Sequence, residues 1–301
     1  MPIYCIPKQL YILDQNQIMM KVVPLFLLTV VISVSCLAQN SSKLLKDTTT
    51  LRVYYVFSKK QKVTDSAARV DTMLLDIGKN FSRFYDPARM KRDSAVSNLI
   101  ANTDPSTIKQ MNVVKDDETS GLSEMAGTVS TNTLEGESYQ IVKAKNGNVN
   151  VFDYGANALT RLQYEDNFGK LDWQLEAGPD TISSYACQKA TLKFRGRTHT
   201  AWFTSDIPVS EGPWKFSGLP GLILKVVDSE KLFSFEMIGL TQPKNVMSFE
   251  IPKSEFLKVS RQDYNKQVLK RALGMKVNFT NGIMTLGSVP GKFTPTLMEL
   301  E

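Results

Sequence analysis

Turn-forming residues punctuate this chain about every ten residues, and the runs between them alternate apolar and polar side chains. That is the pattern of successive antiparallel strands. In the first run Leu51, Val53, Tyr55 and Phe57 alternate with Arg52, Tyr54, Val56 and Ser58, and side chains two apart share one face of a strand. Residues 73–77 and 81–85 flank Gly78-Lys79-Asn80, a hairpin that Asp86-Pro87 ends. Residues 139–145 and 148–154 flank Asn146-Gly147. That dipeptide predicts a two-residue turn with positive φ at both positions, pairing Val142 with Val151 and Ile141 with Phe152.

The pattern continues toward the C-terminus. Residues 159–165 and 171–176 flank Asp166-Asn167-Phe168-Gly169, a further expected hairpin. Residues 185–194 and 198–204 flank Arg195-Gly196-Arg197, where a two- or a three-residue loop fits equally well. Residues 222–227 and 232–238 flank Asp228-Ser229-Glu230-Lys231, with Leu222, Leu224 and Val226 on one face. Residues 249–252 read as a short edge strand. Ser260 with Asp263 resembles a helix cap, for a helix running to about residue 273 that Gly274 stops. Asn281-Gly282 marks a last turn. Residues 88–133 are rich in Ser, Thr, Asn, Asp and Lys, and read as a polar insertion with short helices such as 94–100. Helix–strand alternation is missing, and no repeat of fixed period emerges. The expected fold is mainly β: one twisted antiparallel sheet forming an open or partly closed barrel, with a C-terminal helix packed on it or covering its mouth.

The N-terminus predicts export. Met20-Lys21 leads into Val22-Val23-Pro24-Leu25-Phe26-Leu27-Leu28, and the apolar run continues to Ile32. Cys36-Leu37-Ala38 then places small residues before Gln39, which is the secretory signal pattern. The run is short for a bilayer span, so no retained transmembrane helix is expected. Residues 1–18 are long and nearly uncharged for a signal n-region, which points to translation starting at Met19 or Met20. Ser33 stands where a lipobox carries a bulky aliphatic, which argues against lipoprotein anchoring at Cys36. The expected organisation is therefore an upstream extension plus signal peptide over 1–38, a flexible leader over 39–50 and a single β-rich domain over 51–301. Cleavage leaves Cys187 as the one cysteine, so the mature chain forms no internal disulfide.

Catalytic signals are thin. The single histidine, His199, lies in a predicted strand between two threonines. No Gly-x-Ser-x-Gly elbow, P-loop or dinucleotide fingerprint is present, and one His with one Cys makes no zinc site. No metal or cofactor is therefore expected. The carboxylate pairs Asp71/Asp76 and Glu135/Glu137 read as surface charge. The net charge of +6 is scattered through the sequence rather than gathered in one stripe, so no nucleic-acid partner is expected.

The strongest motif runs from Gly212 to Leu224. Leu219-Pro220-Gly221-Leu222 reads as a type II turn, with Pro presetting φ and Gly accepting a positive φ. Gly218 adds freedom before it, and Trp214, Phe216, Leu219 and Leu222 can cluster around one corner. Two readings stand side by side: a rigid corner that closes the sheet, or the rim of an apolar cavity or docking edge that also involves Trp202. Gly218 to Ile223 spells the hexapeptide of the GLPGLI family, and Gly212-Pro213 with Trp202-Phe203-Thr204-Ser205-Asp206-Ile207-Pro208 resembles that family's approach to it. The resemblance is densest over residues 180–240. It implies an exported protein of Bacteroidetes-type bacteria, in the periplasm or outer envelope, and it implies no activity or catalytic residues. The function expected is a non-enzymatic binding or accessory protein of the cell envelope, for a lipid or other apolar or amphipathic ligand or an outer-membrane protein partner. The alternative is an envelope hydrolase with an unrecognised carboxylate site, and a third reading is a structural protein with a strand edge open to pairing.

Overall fold

The computed structural model describes residues 45–114, 128–132, 135–155, 161–244, 247–251, 256–269, 274–288 and 296–300. All of them lie within one compact unit, Leu44–Glu301. The expected signal peptide and the first half of the leader, 39–44, fall outside the described residues, as do 115–127 and the helix end expected at 270–273; the second half of the leader, 45–50, is strand.

The chain is mainly β, and the strands follow the alternation. Strands β1 (Leu45–Lys59), β2 (Arg69–Gly78) and β3 (Phe81–Tyr85) come first. Helix α1 (Pro87–Asn102) leads to β4 (Gln110–Val114) and β5 (Val129–Asn132). Next come β6 (Tyr139–Ala144), β7 (Val149–Asp153), β8 (Leu162–Asp166), β9 (Gln174–Ile182), β10 (Tyr185–Phe194) and β11 (Arg197–Thr204). The rest are β12 (Leu222–Asp228), β13 (Phe233–Thr241), β14 (Met247–Ile251), β15 (Leu257–Lys258), helix α2 (Arg261–Leu269), β16 (Gly274–Thr280) and β17 (Ile283–Ser288).

One large sheet runs in the order β15-β8-β7-β6-β3-β2-β1-β13-β12-β11-β10-β9, with β14 also paired to β1. It is mixed rather than purely antiparallel, because β15 pairs parallel with β8. The two ends, β15 and β9, do not pair, so the sheet is no closed barrel. It is nonetheless curled. Strands β8 and β9 stand ten places apart in the order, roughly 48 Å in a flat sheet. The seven residues 167–173 that join them reach about 28 Å at full extension. Only a sheet bent back on itself satisfies both. Side chains bridge the gap: Asp166 pairs with Arg195 at 2.6 Å, and the Phe168 and Phe194 rings stand 4.9 Å apart.

That curl corrects one expected hairpin. Strand β8 does not turn back onto β9; it pairs with β7 and β15, while β9 pairs with β10 alone. The Asn146-Gly147 turn is also corrected. Observed pairs are Ile141 with Val151 and Val142 with Asn150, one residue away from expectation. Ala144 closes on Asn148 across Lys145-Asn146-Gly147, and of these three only Gly147 has positive φ, +90°. A two-residue type I′ turn needs two such residues, so the loop takes three. At Arg195-Gly196 both residues are left-handed (φ 51° and 76°) and Phe194 pairs with Arg197, which selects the two-residue loop.

The concave face carries the core. Val53, Tyr55 and Phe57 are fully buried there with Met73, Leu75, Phe84, Ile141, Val151, Phe203 and Phe235. The stretch expected to be a polar insertion builds more than loop. Asp86 caps α1 by accepting from the Arg89 amide at 2.9 Å, Pro87 sits in its first turn, and the helix is longer than the expected 94–100. Strands β4 and β5 join β17 and β16 in a second sheet ordered β4-β17-β16-β5, and Val96 of α1 packs on Val277 of β16. The helix at Ser260 forms with its cap, Asp263 donating its amide to the Ser260 hydroxyl at 3.0 Å. It is not the C-terminal element, because β16 and β17 follow it and Gly274 opens β16.

Candidate functional site

Residues 205–221 connect β11 to β12 and fill the hollow of the curl. Buried polar groups of the sheet hold this segment. Lys143 of β6 donates to the carbonyls of Gly212 (2.7 Å) and Phe216 (3.0 Å) and pairs with Glu211 at 2.9 Å. Ser82 of β3 donates to Glu211 at 2.9 Å, and the Tyr55 hydroxyl donates to the Ile223 carbonyl at 2.7 Å. Burial alone would raise the Glu211 carboxyl, but Lys143 and Lys145 hold it below its ordinary value.

The GLPGLI-like corner sits at the end of this segment. Trp214, Phe216, Leu219 and Leu222 are all buried, and the Trp214 and Phe216 rings lie 5.1 Å apart. The bend is not the expected type II turn. The Gly221 amide bonds to the Leu219 carbonyl at 2.8 Å, two residues back, as in a γ-turn centred on Pro220. Gly221 has φ +152° and lies against β11: an added Cβ would stand 2.0 Å from the Thr204 carbonyl oxygen. Gly218, φ +92°, faces open space, and Pro220 is exposed. Trp202 does not join the cluster. It projects from the opposite face of β11, donates its indole N–H to Asp180 at 2.8 Å, and has the Lys189 and Lys225 ammonium groups over its ring.

Trp214 is itself unusual. Its φ of +52° puts a bulky residue in the left-handed region, a strained state that persists only where surroundings enforce it. The adjacent Lys215 supplies that enforcement. Its side chain is 1% exposed, and its ammonium donates to the Tyr164 hydroxyl at 3.0 Å, Asp166 at 2.6 Å and Glu299. Burial would lower its pKa, but Tyr164, Glu299 and Asp166 hold it well above the ordinary lysine value. Glu299 belongs to a C-terminal strap, residues 296–300, that crosses the mouth of the curl. Leu300 donates its amide to the Arg195 carbonyl at 2.9 Å, Arg197 donates to the Leu297 carbonyl at 3.0 Å, and Arg261 of α2 pairs with Glu299 at 3.3 Å.

Beneath the strap and α2, against β6, β7 and β8, lies a pocket of about 100 Å³. Trp214, Tyr164, Tyr139 and Tyr264 give it aromatic walls, and three carboxylates line it: Glu137, Asp153 and Glu299. Each carboxylate is already engaged. Lys59 and Arg69 clamp Glu137; burial would raise its carboxyl, but the two cations hold it below the usual range. Asp153 accepts from Tyr264 at 2.5 Å and from Ser138 at 2.8 Å, and Glu299 holds Lys215. A general acid needs a carboxyl that keeps its proton near neutral pH, and Glu137 is driven the other way. His199 stands apart from this pocket, buried 4.8 Å from the Phe216 ring, with burial and Arg197 lowering its pKa to about 4. Among the described residues no cluster of His, Cys, Asp and Glu could hold a metal, and no helix is long and apolar enough to cross a membrane.

The sequence signals Trp214, Phe216 and Leu219 but misses Lys215, Tyr264 and Glu299. A lysine between two core aromatics was the available clue for Lys215. Nothing local marks Glu299, whose role depends on a strap from the far end of the chain.

A family model described as "Protein of unknown function (Porph_ging)" matches residues 194–225, from the end of β10 through the filling segment into β12. No curated protein matches the chain. Two solved structures of PNGF-II, in different space groups, are similar at 14% identity, with TM-scores of 0.44 and 0.45. The similarity covers 77% of this chain and 35% of theirs, so this chain spans about a third of the length of those proteins.

Proposed function

We propose that this chain is an exported, GLPGLI-type protein of the cell envelope that acts by binding rather than by catalysis, with Trp214 and the strap-covered pocket as its working end. The observation that carries this reading is the engagement of every carboxylate lining that pocket by cations or hydroxyl donors, an arrangement that holds shape, with the Glu137 carboxyl held below its usual range by Lys59 and Arg69. Support for export comes from the signal-like residues 20–38 and the GLPGLI-like hexapeptide. The pocket holds about 100 Å³, well under the roughly 300–1,000 Å³ of drug-sized ligand sites. Of the two ligand classes expected, a lipid is therefore disfavoured at this site, and a small group or a partner protein's side chain is favoured. A wider, open groove of about 590 Å³ lies at the end of α1, where apolar Ala95, Leu99 and Phe279 alternate with polar Asn98, Asn102 and Thr103.

The third reading, docking through a free strand edge, has less support. Strand β9 ends the sheet, but Gly178 and Pro179 interrupt it and its pairing shifts register between Cys187 and Lys189; such features blunt edges against pairing. The test is purification from fractionated cells with N-terminal sequencing and native mass spectrometry. The expected result is a chain beginning at Gln39, in the envelope fraction, carrying a protein partner or a small adduct. An uncleaved chain in the cytosol would refute export, and a bare chain without partner or adduct would refute the binding role.

A further inference from the structure

Each charged group around the strap-covered pocket is already engaged, Asp153 by the Tyr264 and Ser138 hydroxyls. Lys59 and Arg69 face Glu137 and Asp71, and Lys215 and Arg261 face Glu299. A charged ligand would have to break one of these buried pairs, which is costly in a low-dielectric site. Three polar lining groups have no side-chain hydrogen bond to any described residue, and all are neutral: the Tyr139 hydroxyl, the Asn265 carboxamide and the Trp214 indole N–H. The Tyr139 hydroxyl is buried without a hydrogen-bond partner, an arrangement that is rare and unfavourable. The Asn265 carboxamide, on α2, has no side-chain hydrogen bond to any described residue. Aromatic faces from Tyr164, Trp214 and Tyr264 complete the walls.

Resting on the binding reading above, we infer that this pocket takes a small uncharged group bearing a hydroxyl or carboxamide, held by Asn265 and Tyr139 against the aromatic walls. The volume is that of roughly three water molecules, the size of an acetamide or a short polyol. Neutral donors and acceptors suit such a group, and the rings accept its apolar side.

The test is methyl-observed NMR of the full chain, following Ile141, Val151, Val268 and Met298, which line the pocket. Acetamide, glycerol, acetate and tetramethylammonium are titrated separately. Acetamide or glycerol should shift these methyls saturably, while acetate and tetramethylammonium should not. Tyr139→Phe and Asn265→Ala should each weaken the neutral probe about two- to tenfold, the worth of one neutral hydrogen bond. Both variants keep the fold on structural grounds, since one deletes an unpartnered oxygen and the other trims a partly exposed helix residue; Asn265→Asp, which keeps shape and adds charge, gives a further check and should also weaken it. Absence of saturable shifts, a charged probe binding as well as a neutral one, or unchanged binding in the variants would overturn the inference. A charged probe in the lead would leave the binding function standing. No probe bound and no co-purifying partner would remove both.

Discussion

Two glycines of one hexapeptide should respond very differently to the same substitution. Gly221→Ala would place a methyl 2.0 Å from the Thr204 carbonyl oxygen and 2.6 Å from its carbon, at a φ of +152°. The atoms in the way are backbone at the end of β11, so no side chain can swing aside. The left-handed backbone costs about 1–2 kcal/mol, and forcing β11 and β12 apart adds about 1–3 kcal/mol, as overpacking does. The stiffer unfolded chain returns about 0.4–1 kcal/mol. The net loss is about 2–4 kcal/mol, a fall in Tm of about 4–16 °C for a domain of this size. Gly218→Ala has a φ of +92° but nothing within 4 Å, so it carries the backbone term alone, about 1 kcal/mol or about 2–4 °C. Thermal unfolding followed by far-UV circular dichroism measures both. Equal shifts in the two variants, or a Gly221→Ala shift under about 2 °C, would refute the argument that Gly221 is there for close approach to β11.

Lys215→Met should cost about 3–5 kcal/mol in urea unfolding, because it leaves Asp166 and Glu299 buried beside a vanished cation; a loss under about 1 kcal/mol would mean the strap is not anchored there. Glu299→Gln should cost less, since Asp166 keeps Lys215 paired. Stability should also depend on pH through the single histidine. His199 has its folded pKa depressed from 6.5 to about 4, chiefly by burial. The unfolded chain therefore binds the proton first, so the stability His199 supports is complete above pH 6.5 and is lost as pH falls through that window. The full effect is at most about 3 kcal/mol, read as the difference between Tm–pH curves of the wild type and His199→Leu. Parallel curves would sink the assignment.

Local chemistry wrote much of the architecture into the sequence. Period-two alternation placed Val53, Tyr55 and Phe57 on the core face, and Asn281-Gly282 formed its turn with both residues left-handed. These signals are short-range, so the sequence alone determined most strands outside residues 88–133, most hairpins and the capped helix at Ser260, while β4 and β5 were hidden in a stretch that reads as a polar insertion. It also determined that Trp214, Phe216 and Leu219 share a buried corner. The tertiary structure decided whatever depended on distance. The link from β8 to β9 reads as a turn in sequence but crosses between the two ends of a curled sheet, because residues 167–173 are too few for any flat arrangement. The candidate site had the same origin. Lys215 and Glu299 are 84 residues apart, and a partner at that separation leaves no periodic trace in the chain; only the curl that brings strap, helix and sheet together makes it one.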